Sequence, residues 1–343
     1  MVLTRRLSAN IGSRVRVAVL LKGGVQHGAW PPPAQVLESA DFFVGASFQE
    51  VQAQLAGAPP TAVVWAPGVA AAEVSSLCGA YSSIEWVHSF SAGVDSLRPF
   101  FDDARSEAVS LTNGRGAFSD SLAEYAMAAA LHFNKQVPRS QANKQAKKWD
   151  NFKMGVLKGK TMGFVGWGSI AHKTAMLAKA FGMKVVACRR SPAAESDNLA
   201  ERIYGVEDKL QLFRRADFVV SSLPDTPETR DFCGAAEFAE MKPTGVFISL
   251  GRGAAVDEDA LFEALASDRI AGAALDVYKT EPLPLTSPLW GVAPAQLYMT
   301  AHNADLTDDY FDLGWGIWHD NLAALLSPPP IQWATPFDPK QGY

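Results

Sequence analysis

Apolar residues in the first third of the chain come in short runs rather than in long periodic stretches. Positions 15–21, 42–45, 62–65, 84–90 and 109–112 are rich in Val, Leu, Phe and Trp and are short enough for buried strands. Between them, 48–55 and 69–77 are spaced for helices, and Pro31-Pro32-Pro33 marks a loop ahead of a helix near 34–39. Such alternation predicts βα units on a parallel sheet. The pattern changes at Asp120-Ser121-Leu122-Ala123-Glu124, which opens a long apolar-periodic helix to about residue 133, followed by a polar, basic stretch over 134–149. A helix of that length after a complete small sheet suits a crossing between two domains. Lys135, Arg139, Lys144, Lys147 and Lys148 then read as its solvated face rather than an anion patch.

The next apolar run breaks into a glycine turn, Gly163-Phe164-Val165-Gly166-Trp167-Gly168-Ser169-Ile170-Ala171, that feeds straight into a helix over 171–180. Its first glycine suits a sharp bend, its second a close approach of backbone to a pyrophosphate, and its small third position close packing of helix on strand. The helix N-terminus would face the anion. A further strand at 183–188 completes a βαβ unit of about 30 residues. Runs at 216–221, 245–250, 271–277 and 297–300 extend this into a doubly wound sheet over roughly 118–304. Asp257, Glu258 and Asp259 suit the positive end of a helix over 257–266, and a last helix near 308–326 is stopped by Pro328-Pro329-Pro330.

Composition narrows the class. The 343 residues are enough for two domains, and 48% hydrophobic with 20% charged residues describes a globular chain. No apolar run approaches the roughly 18 residues of a membrane span. A net charge of -5 gives no reason to expect nucleic-acid binding. Cys78, Cys188 and Cys233 are few, scattered and without metal-ligand spacing, which points to a reducing compartment and away from disulfides or structural zinc. Arg5, Arg6, Arg14 and Arg16 precede the first carboxylate, Glu38, so the expected cytoplasmic location has organelle targeting as its alternative.

Ligands of open α/β sheets bind beyond the carboxyl ends of the strands. Three polar residues stand there: Arg252 after the 245–250 run, Glu281 beyond the 271–277 run, and His302 after the 297–300 run. A cation can hold an anionic carbonyl substrate, an imidazole can donate a proton to it, and a carboxylate can keep that imidazole charged. Taken singly, each also fits a plain loop residue. Among the other histidines, His88 falls in a strand and His132, His172 and His319 in helices, which leaves His27, in a glycine loop, as the weaker rival.

These motifs together resemble the D-isomer-specific 2-hydroxyacid dehydrogenase family, over most of the chain and in the family's order. Phe90-Ser91-Ala92-Gly93-Val94-Asp95 resembles its substrate-carboxylate loop, which implies that the amides of Ala92 and Gly93 hold the acid. The segment from Ser222-Leu223-Pro224 to Thr229-Arg230 is similar to the cofactor-covering loop, and Leu250-Gly251-Arg252-Gly253 to the arginine motif. The strand ending Leu275-Asp276-Val277-Tyr278 resembles the one whose aspartate holds the nicotinamide amide, which would be Asp276. Glu281-Pro282 and Thr300-Ala301-His302 look like the catalytic glutamate and histidine motifs. The resemblance implies two doubly wound α/β domains, flavodoxin-like and Rossmann-like, with a cleft between them. It assigns 1–117 with 306–343 to substrate and 118–305 to the dinucleotide, returns the last helix to the first domain, and implies a homodimer.

Two departures matter. Ala301 stands where the family has proline, and Asp305 where it has a small residue, which bears on the histidine and on the choice of substrate. Where an acid would bind the ribose hydroxyls, the chain has Cys188-Arg189-Arg190-Ser191, and arginine pairs with a 2′-phosphate that an acid would repel. The expected cofactor is therefore NADP(H), held by Gly166, Trp167, Gly168, Ser169, Ile170, Arg189, Arg190, Ser191, Leu223, Pro224, Thr229, Leu250, Gly251 and Asp276. The expected reaction is reduction of a small 2-oxo acid, glyoxylate or hydroxypyruvate, to the D-2-hydroxy acid, with no metal. The rival reading is a dinucleotide-sensing binding protein or corepressor, since relatives of that kind keep the catalytic residues.

Overall fold

The computed structural model describes residues 14–22, 30–191 and 196–339. The chain divides into two compact units, Met1–Phe118 with Asp308–Tyr343, and Ser119–Thr307. The first unit carries the parallel strands β1 (Val15–Leu20), β2 (Ala40–Gly45), β3 (Ala62–Trp65), β4 (Trp86–Ser89) and β5 (Ser110–Asn113) in the spatial order β2-β1-β3-β4-β5, the flavodoxin-like winding. Its early helices are α1 (Ala34–Leu37), α2 (Phe48–Gln54), α3 (Ala71–Ala80) and α4 (Arg98–Phe101). The strands read as unbroken apolar runs because both faces are covered. Ala18, Leu20, Val63 and Trp65 pack with Val51, Val74, Leu77 and Phe100 on one side, while Val17, Val19, Val64 and Trp86 face the other.

The second unit starts with α5 (Ser119–Asn134) and α6 (Val137–Gln145) and continues through β6 (Thr161–Val165), α7 (Ser169–Ala180), β7 (Lys184–Cys188), β8 (Arg202–Tyr204), α8 (Lys209–Arg215), β9 (Phe218–Ser221), α9 (Ala235–Glu240), β10 (Val246–Ser249), α10 (Glu258–Ala266), β11 (Gly272–Leu275) and β12 (Leu297–Met299). The seven strands are parallel in the order β12-β11-β10-β9-β6-β7-β8, so the winding reverses beside β6. Alanines at 126, 129 and 130 of α5 and at 171, 175 and 178 of α7 share one core with Met162 and Phe164. Asp257 caps α10 by accepting from the Ala260 amide. The short β8, α8 and α9 have no long periodic signature and are absent from the sequence reading. α11 (Tyr310–Leu326) then rejoins the first unit, stacking Trp318 on Trp86 with ring centroids 5.7 Å apart.

Arg14 and Arg16 serve the fold. Arg14 donates to the carbonyls of Leu37, Glu38 and Ala40, and Arg16 to those of Leu55 and Ala58. Arg5 and Arg6 lie outside the described residues, as does His27. No helix among the described residues is long and apolar enough to cross a membrane.

His88, read from the sequence as a strand residue, sits fully buried in β4 with Nδ1 2.8 Å from the Thr112 hydroxyl and no partner at Nε2. Burial pushes its pKa down to about 3. The unfolded chain therefore takes up a proton near the ordinary histidine pKa that the folded chain refuses, so this site removes stability as pH falls from about 6.5 towards 3. The expected loss is about 1.4 kcal/mol per pH unit inside that window. Denaturant melts of the wild type and His88→Asn at stepped pH check this: the variant should be weaker at neutral pH and lose this one-proton slope.

Candidate active site

Strand register gathers the candidate residues of the second unit along one edge. Cys188, Val165, Ser221, Ser249, Leu275 and Met299 lie side by side across the sheet. The row just past them is Arg189, Gly166, Ser222, Leu250, Asp276 and Thr300. One line at the carboxyl ends thus carries or adjoins nearly every residue singled out in this half.

The glycine turn has the form a dinucleotide requires. Gly166 has φ +95°, a left-handed conformation that a side chain would strain, and its amide donates to Cys188 O at 3.0 Å. Gly168 caps α7 and has open space where a Cβ would stand. The first intrahelical bond is His172 N to Gly168 O, so the amides of Ser169, Ile170 and Ala171 are left for an anion. Trp167 is buried, with its indole donating to Asp197 at 2.8 Å and its ring against His172. It ties the glycine turn to the segment after β7, a role its place in the motif does not reveal.

Around this turn the other loops close in. Leu223 and Ser222 border Gly166, and the Leu223 backbone lies so close to Gly251 that no side chain fits there. Leu223 O also accepts the Arg252 amide. Thr229 knits its own loop, its hydroxyl donating to Pro224 O and accepting the Thr226 amide. Arg189, Arg190 and Ser191 are exposed beyond β7, and no carboxylate stands among them. The Glu228 carboxyl is held below its ordinary range by its own backbone amide and the Thr226 hydroxyl, with Arg190 adding to the effect, so Arg190 lies within electrostatic reach of the 222–230 loop.

At the far end of the row, His302 Nδ1 lies 2.6 Å from Glu281 Oε2, and Glu281 Oε1 accepts the Tyr278 amide at 2.9 Å. The carboxylate is fixed on one side and grips the imidazole with the other, leaving Nε2 for a reacting group. His302 has φ +53°, uncommon outside glycine. That turn is held by Asp276, whose carbonyl accepts the His302 amide while its carboxylate accepts the Thr300 hydroxyl and the Asn303 and Ala304 amides. The Tyr125 hydroxyl lies 2.8 Å from that of Thr300, and the Tyr278 hydroxyl donates to Thr300 O. The buried Asp276 carboxylate thus anchors the histidine turn, and Tyr125 carries no sequence signature for its part in it.

The Arg252 guanidinium donates to Gly251 O at 2.9 Å. Burial raises the Asp305 carboxyl above its ordinary range, with His302 and Arg252 acting against it, so this carboxyl lies within electrostatic reach of both. In the first unit, Ala92 and Gly93 sit on the loop after β4, and neither amide has a hydrogen-bond partner among the described residues. Burial pushes the thiols of Cys78, Cys188 and Cys233 up to about 12, which leaves no thiolate for nucleophilic chemistry.

A doubly wound unit with a glycine turn at its switch point and a glutamate–histidine pair on the same edge defines a dinucleotide-binding α/β protein. The model of the D-isomer specific 2-hydroxyacid dehydrogenase, NAD binding domain, matches residues 127–304, more than half of the chain. The chain belongs to the D-isomer specific 2-hydroxyacid dehydrogenase family. The glyoxylate reductase of Thermococcus litoralis is 34% identical over 204 residues, 56% of this chain and 60% of that one. The D-3-phosphoglycerate dehydrogenase of Methanocaldococcus jannaschii is 34% identical over 200 residues, 57% of this chain and 37% of its own. The chain thus spans less than two thirds of the length of these curated relatives. A family protein from Aeromonas salmonicida has a solved structure 26% identical with TM-score 0.78, covering 95% of this chain and 99% of its own. The NADPH-dependent glyoxylate/hydroxypyruvate reductase of Sinorhizobium meliloti, in complex with NADP and sulfate, shares the fold at TM-score 0.79 and 24% identity, over 96% of this chain and 100% of its own.

Proposed function

We propose that the protein reduces a small 2-oxo acid, glyoxylate or hydroxypyruvate, to the D-2-hydroxy acid with NADPH. The observation that carries the reading is the 2.6 Å pair of His302 Nδ1 and Glu281 Oε2 on the sheet edge that also bears the glycine turn. Glyoxylate reductase is the name of a 34% identical relative, and NADPH dependence that of a structural neighbour, which supports both choices.

The glycine turn and the first amides of α7 would hold the pyrophosphate, and Arg189 and Arg190 the 2′-phosphate. The dinucleotide, when bound, supplies the hydride. His302 gives the proton at Nε2 to the carbonyl oxygen, and Glu281 keeps the ring oriented and stabilises its charge. Arg252 would neutralise the substrate carboxylate and polarise the carbonyl, and the amides of Ala92 and Gly93, without hydrogen-bond partners among the described residues, are proposed to bind a carboxylate.

The test is NADPH oxidation against glyoxylate, hydroxypyruvate, pyruvate and bulkier 2-oxo acids, repeated with NADH. Rapid turnover of a small acid with NADPH preferred is expected. Tight NADPH binding with no turnover across the panel would overturn the reading in favour of a dinucleotide sensor.

A further inference from the structure

A buried line of polar side chains in the first unit runs from α11 to the loop that bears Ala92 and Gly93. Asn113, the last residue of β5, donates from Nδ2 to Ala92 O at 2.9 Å. The neighbouring carbonyl, Ser91 O, accepts from the Gly114 amide at 3.2 Å and the Ser89 hydroxyl at 2.9 Å. In a trans peptide the N–H points opposite to the C=O. Drawing these two carbonyls towards β5 therefore turns the amides of Ala92 and Gly93 the other way, where neither has a partner among the described residues.

What holds Asn113 comes from the far end of the chain. The Thr335 hydroxyl donates to Asn113 O at 2.5 Å, and the Asn113 amide donates to Thr335 O at 3.2 Å. Thr335 is itself gripped by Asn321 of α11, which donates from Nδ2 to the Thr335 hydroxyl at 2.9 Å and accepts the Thr335 amide at Oδ1. Asn321, Thr335 and Asn113 are 0%, 6% and 3% exposed. A fully satisfied network in so dry a place is stiff, and removing one member leaves buried polar groups unpaired.

We infer that Thr335 is a positioning residue for carboxylate binding: acting through Asn113, it sets the peptide planes that aim the Ala92 and Gly93 amides at the anion. The inference rests on the proposed function for the identity of that anion, the carboxylate of a 2-oxo acid. Valine at 335 keeps the shape of threonine and removes only the hydroxyl, whereas serine keeps the hydroxyl.

The experiment compares wild type, Thr335→Val and Thr335→Ser as full chains, by steady-state kinetics on glyoxylate and by calorimetric titration of the NADPH-loaded protein with oxalate, an unreactive carboxylate probe. Thr335→Val should raise KM and the oxalate Kd by about tenfold, one lost buried hydrogen bond, with kcat little changed. Thr335→Ser should restore both. Unchanged KM and oxalate affinity in Thr335→Val would overturn the inference, as would a loss confined to kcat or thermal stability. Should the wild type bind oxalate without turning over any 2-oxo acid, the proposed reaction fails, and the oxalate series alone decides the role of Thr335. A wild type that does not bind oxalate overturns the inference directly.

Discussion

His302→Ala is expected to lower kcat for 2-oxo acid reduction by about 10²–10⁴-fold while leaving the NADPH dissociation constant nearly unchanged. The imidazole is held at Nδ1 by the Glu281 carboxylate, which leaves Nε2 for the carbonyl oxygen of the proposed substrate, and the glycine turn that would take the pyrophosphate is built from other strands. Carbonyl reduction leaves an alkoxide unless a proton arrives with the hydride, so removing the donor acts on the transition state rather than on binding. Residual activity would come from the remaining polarising groups, Arg252 among those proposed. Glu281→Gln should lose less, because the amide oxygen can still orient Nδ1 while the compensating charge is gone. Stopped-flow traces beside NADPH fluorescence titration separate the two quantities, and full turnover in His302→Ala would remove the histidine from the reaction.

The second large effect concerns the cofactor. Changing Arg189 and Arg190 together to alanine should weaken NADPH by about 10²–10³-fold, since a charge-assisted hydrogen bond contributes about 1.5–3 kcal/mol and a 2′-phosphate can engage both guanidiniums. NADH lacks that phosphate and should change by no more than a few fold. The ratio of the two kcat/KM values reads the effect without depending on protein stability. Equal losses with both cofactors would show that the arginines do not read the 2′-phosphate.

Much of this was legible in the sequence because parallel strands impose simple rules. Apolar runs without polar interruption identify strands covered on both faces, and the residues just past them inherit the ligand-binding edge. Gly166, Arg252, Glu281 and His302 could therefore be named from the pattern, whereas Arg189 and Asp276 are named through the family resemblance. Strand limits read from the pattern run long, as in 84–90 against the observed Trp86–Ser89, because apolar residues flanking the strand, Ile84 before it and Phe90 after it, are buried too. What stayed hidden is pairing over distance. The Thr335 hydroxyl meets a carbonyl 222 positions earlier, and Tyr125 meets Thr300 across 175 positions. Nothing local to an asparagine, threonine or tyrosine marks such a partner. Asp276 shows the same limit from the other side: its motif suggests a ligand contact and does not reveal the bonds its carboxylate makes to the turn that presents His302.

The division of the first unit between both ends of the chain sets an order of events during synthesis. All seven strands of the second sheet precede α11 and Thr335 in the order of synthesis. The Thr335 contact to Asn113 beneath the 90–93 loop can therefore form only after every strand of both sheets has been made.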